Sequence, residues 1–176
     1  MSVAGRPFVV HVAKLRRSVG TRWNEERAGV VEGLECTGTA VAPGAAVTAE
    51  VTLESVLGGV SVTGTVSAPW TAVCRRCLAP AGGTIVVPVR ELYTESGDGN
   101  DTYGLDRDDL DLEPLVRDAV LLELPLAPLC RGDCAGLCPI CGANRNEGDC
   151  GCRSEPDPRW AALDVLRASH PSSDSP

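Results

Sequence analysis

The chain is short of aromatic residues, with one Phe, two Tyr and three Trp among 176 positions. So few rings argue against a broad stacking platform for single-stranded nucleic acid, which needs successive aromatic faces. No stretch approaches the roughly 18–20 uninterrupted apolar residues a membrane helix requires. Met1 to Phe8 shows no basic region followed by a long apolar run. No membrane contact and no secretory signal are therefore expected, and the location expected is cytoplasmic. Histidine is limited to His11 and His170. Nothing resembles a phosphate-cradling glycine loop, and neither G-x-S-x-G nor H-E-x-x-H occurs. A non-enzymatic protein is the expectation.

What the chain does have is a 43% apolar fraction, enough for a packed core. It also has nine cysteines. Without a visible export signal, a reducing compartment favours clustered cysteines that hold metal over a disulfide framework. The formal net charge is −8, unevenly spread: residues 1–90 carry +3, residues 91–123 carry −9 and residues 124–176 carry −2. An acidic whole is a poor starting point for nucleic-acid binding. The local cluster Lys14, Arg16, Arg17 and Arg22, with the adjacent pair Arg75 and Arg76, nevertheless offers candidate phosphate contacts. The plainer alternative is ordinary surface charge, or pairing with the acidic segment.

The cysteine spacing is specific: Cys74-x2-Cys77, a long gap, then Cys130-x3-Cys134-x3-Cys138-x2-Cys141-x8-Cys150-x-Cys152. Cys138-Pro139-Ile140-Cys141-Gly142 has the form of a zinc knuckle. Two intervening residues let both sulfurs reach one ion, and a following glycine permits positive φ so that backbone N–H groups face the thiolates. Eight cysteines suit two closed sites of four thiolates each. The most local grouping is Cys138, Cys141, Cys150 and Cys152, leaving Cys74, Cys77, Cys130 and Cys134 for the other. Exchange of ligands between the sets stays open, as does a spare in the closely spaced Cys150/Cys152 pair. Two structural zinc ions are the leading expectation, with an iron–sulfur cluster or disulfides as rival chemistries. Both histidines lie outside the cluster, which favours a structural over a catalytic metal. Cys36 reads as a small core residue.

Pro7–Ala13 is β-prone. Val47–Glu54 and Val60–Val66 alternate apolar and polar residues around Gly58-Gly59, the pattern of a hairpin. Thr84–Leu92 reads as a further strand with Pro88 at an edge or bulge, and Pro43-Gly44 and Gly82-Gly83 read as turns. Glu95–Asp109 reads as an exposed loop. Asp111 is placed to cap a helix over Leu112–Glu123, with Pro114 in its first turn and Pro125 and Pro128 beyond its end. A short helix over Arg159–Arg167 and a polar tail from Ser169 complete the reading.

These residues together resemble the YceD family, also called large ribosomal RNA subunit accumulation proteins. The resemblance rests on Lys14-Leu15-Arg16-Arg17-Ser18-Val19-Gly20, on Cys74-Arg75-Arg76-Cys77-Leu78 after a run of strands, and on an acidic loop leading into Leu112-Glu113-Pro114-Leu115-Val116-Arg117-Asp118. It continues through Leu124-Pro125-Leu126-Ala127-Pro128-Leu129-Cys130, Cys134 to Asn144, and Asp157-Pro158-Arg159-Trp160. Arg145 departs from the leucine expected there. The resemblance implies a role in large-subunit rRNA accumulation, hence ribosome biogenesis. Its implied partners are large-subunit rRNA or assembly intermediates; the charge distribution adds an arrangement with the basic knuckle toward RNA and the acidic loop toward a basic ribosomal protein or assembly factor. The alternatives are a zinc-stabilised protein–protein adaptor that does not touch RNA, and a thiol redox sensor.

The fold expected is α+β: a mainly antiparallel, partly closed sheet with one long helix and a C-terminal Cys-rich zinc module. The expected divisions are residues 1–125 as the β domain with its packing helix, 126–155 as the zinc-binding segment, and 156–176 as a short helix and tail.

Overall fold

The structure, a computed structural model, describes residues 6–97, 102–153 and 159. These fall into two compact units that divide between Cys134 and Ala135.

The first unit is built on nine strands, β1 (Val9–His11), β2 (Arg22–Gly29), β3 (Glu35–Cys36), β4 (Thr39–Ala40), β5 (Val47–Val56), β6 (Gly59–Val73), β7 (Pro80–Thr94), β8 (Tyr103–Asp106) and β9 (Asp109–Asp111), followed by helix α1 (Glu113–Glu123). The order is β1-β9-β8-β7-β6-β4-β3, with β5 also on β6 and β2 on β5. The β5–β6 hairpin follows the alternation in its sequence. Val47, Ala49, Val51 and Leu53 point into the core, while Thr48, Glu50, Thr52 and Glu54 face outward. Its turn is Leu57-Gly58, closed at Val56↔Gly59, with Gly58 at φ +86°. That is one residue earlier than the glycine pair suggests.

Three expectations are corrected. The sheet is mixed and open, not mainly antiparallel and partly closed. β8 runs parallel to β7 through Tyr93↔Tyr103 and Thr94↔Gly104, and the strand order does not return on itself. The cause lies in the segment Glu95–Asp109, expected to be a loop, which instead supplies β8 and the first residue of β9. Leu105 within it and Leu110 just beyond it are buried and pin those strands to the core. Gly82-Gly83 is not a turn either; both glycines lie inside β7, paired with Thr71 and Trp70. Pro88 pairs with Thr65, and β7 meets β8 only at Tyr93–Thr94. The proline therefore sits where β7 has an open edge among the described residues, and its missing N–H removes no second ladder bond there.

Helix α1 begins with proline in its first turn, where an absent N–H costs little. The Asp111 carboxylate accepts from the Glu113 N–H at 3.0 Å, so it serves the helix start from just outside it. Leu112, Leu115, Val116 and Val120 are buried with Phe8, Val12, Leu15, Leu53 and Val62 in one apolar cluster. Burying a side chain of this size stabilises the fold by about 1.5–3 kcal/mol. Past Leu124 the chain is tied down again: the buried Thr39 hydroxyl donates to the Pro125 carbonyl at 2.7 Å.

The described part of the second unit, residues 135–153 and 159, has little apolar burial. Among its described residues Cys138 is the one buried apolar side chain, and Ile140 is exposed. Its loops are held by polar bonds: Arg145 N–H to Gly136 O (2.9 Å), Ala135 N–H to Asn146 Oδ1 (2.8 Å) and Asn146 N–H to Asn144 Oδ1 (3.1 Å). The expected Arg159–Arg167 helix, apart from Arg159, and the tail lie outside the described residues. No helix among the described residues is long and apolar enough to cross a membrane.

Candidate metal centres

Strands β6 and β7 form a long hairpin that closes at Val73↔Pro80, and the turn between them is Cys74-Arg75-Arg76-Cys77. The first cysteine pair therefore stands at the tip of a rigid two-stranded arm. In this turn the Cys74 N–H donates to Ala79 O at 2.8 Å and the Leu78 N–H to Cys74 O at 3.0 Å. The second pair repeats the pattern: Cys138 N–H to Ala143 O at 2.8 Å and Gly142 N–H to Cys138 O at 2.9 Å. The residue after the second cysteine has positive φ in both, 61° at Leu78 and 74° at Gly142. Two turns with unrelated flanking sequences thus adopt one knuckle geometry.

The eight clustered cysteines come together in two sets of four. Cys74, Cys77, Cys130 and Cys134 form one, Cys138, Cys141, Cys150 and Cys152 the other, and within each set the sulfurs lie within 4.8 Å of one another. The sets are the local grouping, with both Cys150 and Cys152 included. All nine cysteines are free thiols. Cys74 and Cys134 sulfurs are 3.8 Å apart and those of Cys77 and Cys130 are 3.5 Å apart. With metal–sulfur bonds of about 2.3 Å, tetrahedral ligands stand about 3.8 Å from one another. Disulfide sulfurs would stand about 2.0 Å apart. Each set therefore fits one tetrahedral ion and could bind it.

The electrostatics of the sulfurs point the same way. Burial pushes the Cys74 thiol up, but backbone N–H groups of Cys130, Cys77 and Arg76 outweigh it and bring it down to about 6. The backbone N–H groups of Cys141 and Ile140 likewise bring Cys138 down to about 6. The last-reached ligands go the other way. Hydrogen bonding to Cys77, then burial, pushes Cys130 up to about 12, and contacts with Cys141 and Cys150 push Cys152 up to about 12. One thiolate in each set is stabilised by the knuckle, and it opposes ionisation of its neighbours. A bound cation removes that opposition, because every ligand must then be deprotonated.

The first set joins the hairpin tip to the segment after α1. Cys130 is 53 positions from Cys77 and Cys134 is 60 from Cys74. Three of its members are buried and Cys130 is exposed. In the second set Cys138 is buried, Cys150 half-buried, and Cys141 and Cys152 exposed. Cys36 is half-buried on β3, packed against the core with its sulfur 3.4 Å from the Thr37 hydroxyl.

The candidate phosphate contacts are largely engaged within the chain. Arg16 reaches Glu95 at 2.5 Å and Arg107 O at 2.6 Å, and Arg22 pairs with Glu54 at 3.1 Å. Arg75 Nη1 donates to Leu126 O at 3.1 Å, and Arg76 Nη1 to Cys134 O at 2.9 Å. Lys14 and Arg17 are exposed. Arg6 also meets Asp111 of the acidic segment at 2.7 Å, and the His11 ring hydrogen-bonds Asp109 at 2.9 Å. Sequence reasoning passed over Thr39 and the accepting carbonyls of Leu126, Pro128 and Cys134, since a backbone acceptor leaves no signature in residue type.

Comparison with known proteins places these features. The family model described as large ribosomal RNA subunit accumulation protein YceD matches residues 62–167, a span that contains both sets of four cysteines. An uncharacterized protein of Mycobacterium tuberculosis is 38% identical over 167 residues, covering 89% of this chain and 80% of that protein. An uncharacterized protein of Mycobacterium leprae is 37% identical over 132 residues, 71% of this chain and 61% of its own length. A chloroplastic large ribosomal RNA subunit accumulation protein YCED homolog 1 of Arabidopsis thaliana is 38% identical over 60 residues, 34% of this chain and 19% of that protein. No solved structure matches the chain significantly.

Proposed function

The chain belongs to the YceD family of large ribosomal RNA subunit accumulation proteins, and from that premise we propose that it acts in the cytoplasm as a non-catalytic ribosome-biogenesis factor whose two tetrathiolate centres each hold structural zinc. The observation that carries this reading is that the family match spans both cysteine sets. Zinc is preferred over a multi-iron cluster because sulfurs confined to 4.8 Å surround one ion and leave no room for bridging sulfides. The metal's part is to close loops that bury little apolar surface among the described residues. Cys74, Cys77, Cys130 and Cys134 would hold one ion, and Cys138, Cys141, Cys150 and Cys152 the other. Lys14 and Arg17, exposed beside the better-paired Arg16 and Arg22, are the cations freest to meet rRNA phosphates.

Depletion of the protein in cells tests the biological half: large-subunit rRNA falls relative to small-subunit rRNA. An unchanged ratio would remove the ribosomal reading. Elemental analysis of the purified chain tests the chemical half, with two zinc per chain expected. A second reading, an adaptor that joins the assembling subunit only through protein, is favoured by the net charge of −8 and by the internal engagement of Arg16, Arg22, Arg75 and Arg76. Ultraviolet crosslinking followed by sequencing separates the two: enriched large-subunit rRNA supports direct contact, and its absence supports the adaptor.

A further inference from the structure

The two knuckles share their backbone geometry but differ in what lies between the cysteines. In the second, Pro139 and Ile140 fill the gap, and the remaining ligands Cys150 and Cys152 follow closely along the chain. In the first, Arg75 and Arg76 fill it, and the remaining ligands come from a segment more than fifty positions away. That segment must be brought to the hairpin tip before the ligand set is complete.

Three hydrogen bonds, two from the guanidinium groups and one from the Arg75 backbone, join that segment to the tip. The Arg75 N–H donates to Pro128 O at 3.0 Å and its Nη1 to Leu126 O at 3.1 Å. Arg76 Nη1 donates to the carbonyl of Cys134, itself a member of the set, at 2.9 Å. The Arg76 N–H also faces the Cys74 sulfur at 3.5 Å. Among the described residues neither guanidinium meets a carboxylate. Both are exposed, yet their donors are directed at backbone acceptors on either side of Cys130.

We infer that Arg75 and Arg76 are positioning residues for the first metal centre: they dock the 126–134 segment on the hairpin tip and present Cys130 and Cys134 to Cys74 and Cys77. Arginine suits the task because its fork offers several donors in fixed geometry and never loses its proton. The inference rests on the metal reading above, and it gives these residues a task other than phosphate contact.

The test uses the full-length chain with Cys138→Ser and Cys141→Ser, so that one centre remains. Cobalt(II) is titrated in, its thiolate charge-transfer absorption is followed, and zinc affinity is obtained by competition. Adding Arg75→Gln with Arg76→Gln is expected to weaken binding about 10- to 100-fold, the usual effect of removing groups that orient ligands. Arg76→Gln alone gives an intermediate loss. The strand signal in far-ultraviolet circular dichroism stays unchanged. In a parallel Cys74→Ser/Cys77→Ser background, the second centre keeps its affinity within about twofold. Wild-type affinity in the double Gln variant overturns the inference, and so does an equal loss at both centres, which would mean general loosening. A parent chain that takes up neither metal overturns the zinc reading itself, a result separable from the others.

Discussion

Leu78 and Gly142 occupy the same place in the two knuckles, each directly after the second cysteine and each at positive φ, 61° and 74°. Glycine adopts that conformation freely, whereas a leucine there pays about 1–2 kcal/mol. Leu78 is 64% exposed, so its side chain recovers little by packing. Leu78→Gly should therefore stabilise the metal-loaded protein, by up to about 1 kcal/mol once the extra chain entropy of glycine is subtracted. Denaturant unfolding of the two proteins decides it. A less stable glycine variant would mean that the leucine packs against something the exposure does not reveal.

The two centres should release metal at different rates. Cys74, Cys77 and Cys134 are buried, whereas Cys141 and Cys152 are exposed to a competing ligand. Excess chelator should withdraw metal in two phases, the second centre emptying first. Cys138→Ser should remove about one equivalent of metal together with the fast phase, and loosen residues 135–153 while the strands persist. Stopped-flow detection of released zinc is the measurement, and a single phase of two equivalents would refute the assignment.

The parts legible in the sequence are those whose signal is local. The β5–β6 hairpin shows its alternation because Val47, Ala49, Val51 and Leu53 all face the core. Cysteine spacing likewise reveals both C-x2-C turns, which carry their chemistry within a few residues, whereas Cys130 and Cys134 reach the first turn from more than fifty positions away. The strand β2 was not legible: Arg22–Gly29 pairs with β5 along its length, but none of its residues is buried, so no apolar period marks it. Gly82 and Gly83 mimic a turn, yet the hairpin turns at the cysteine knuckle instead. The parallel β7–β8 pairing sets Tyr93 opposite Tyr103, ten positions on, with their rings stacked at 5.1 Å, and neither residue's neighbours announce it.

That tyrosine pair makes stability sensitive to alkali. Tyr93 is buried and donates to Asp111 O at 3.1 Å. Burial first, then the neighbouring Tyr103, Asp111 and Glu91, pushes its ionisation far above the ordinary range. Tyr103 is pushed up by burial and by its bond to Asp118. A phenol held neutral in the fold ionises in the unfolded chain near pH 10. Its contribution is thus complete below pH 10 and is lost as pH rises beyond it. Tyr93→Phe should cost about 1 kcal/mol at neutral pH, through the lost hydrogen bond, and flatten the alkaline decline. Urea midpoints of the metal-loaded proteins at pH 8 and pH 11 give the comparison; parallel declines would exclude Tyr93 as the source.

Gly64 is where the central ladder tolerates no side chain. It pairs with Val51, and a Cβ added there would lie 2.1 Å from Glu50 O and 2.7 Å from Val51 Cα, both backbone atoms. Neither can yield without parting β5 from β6 in the middle of their ladder, beneath the core positions Val51 and Val62. Gly83 provides the control. The three atoms a Cβ there would meet first are ring atoms of the half-buried Trp70, the nearest at 3.3 Å, and that ring can shift. Gly64→Ala should cost about 3 kcal/mol, and Gly83→Ala less than about 1 kcal/mol. Because the strain falls in β5 and β6, the loss should be the same with and without bound metal. Matching stabilities for the two alanine variants would mean that the strands separate easily at Gly64, and that the core is held by the apolar contacts of α1 and not by the close approach of β5 and β6.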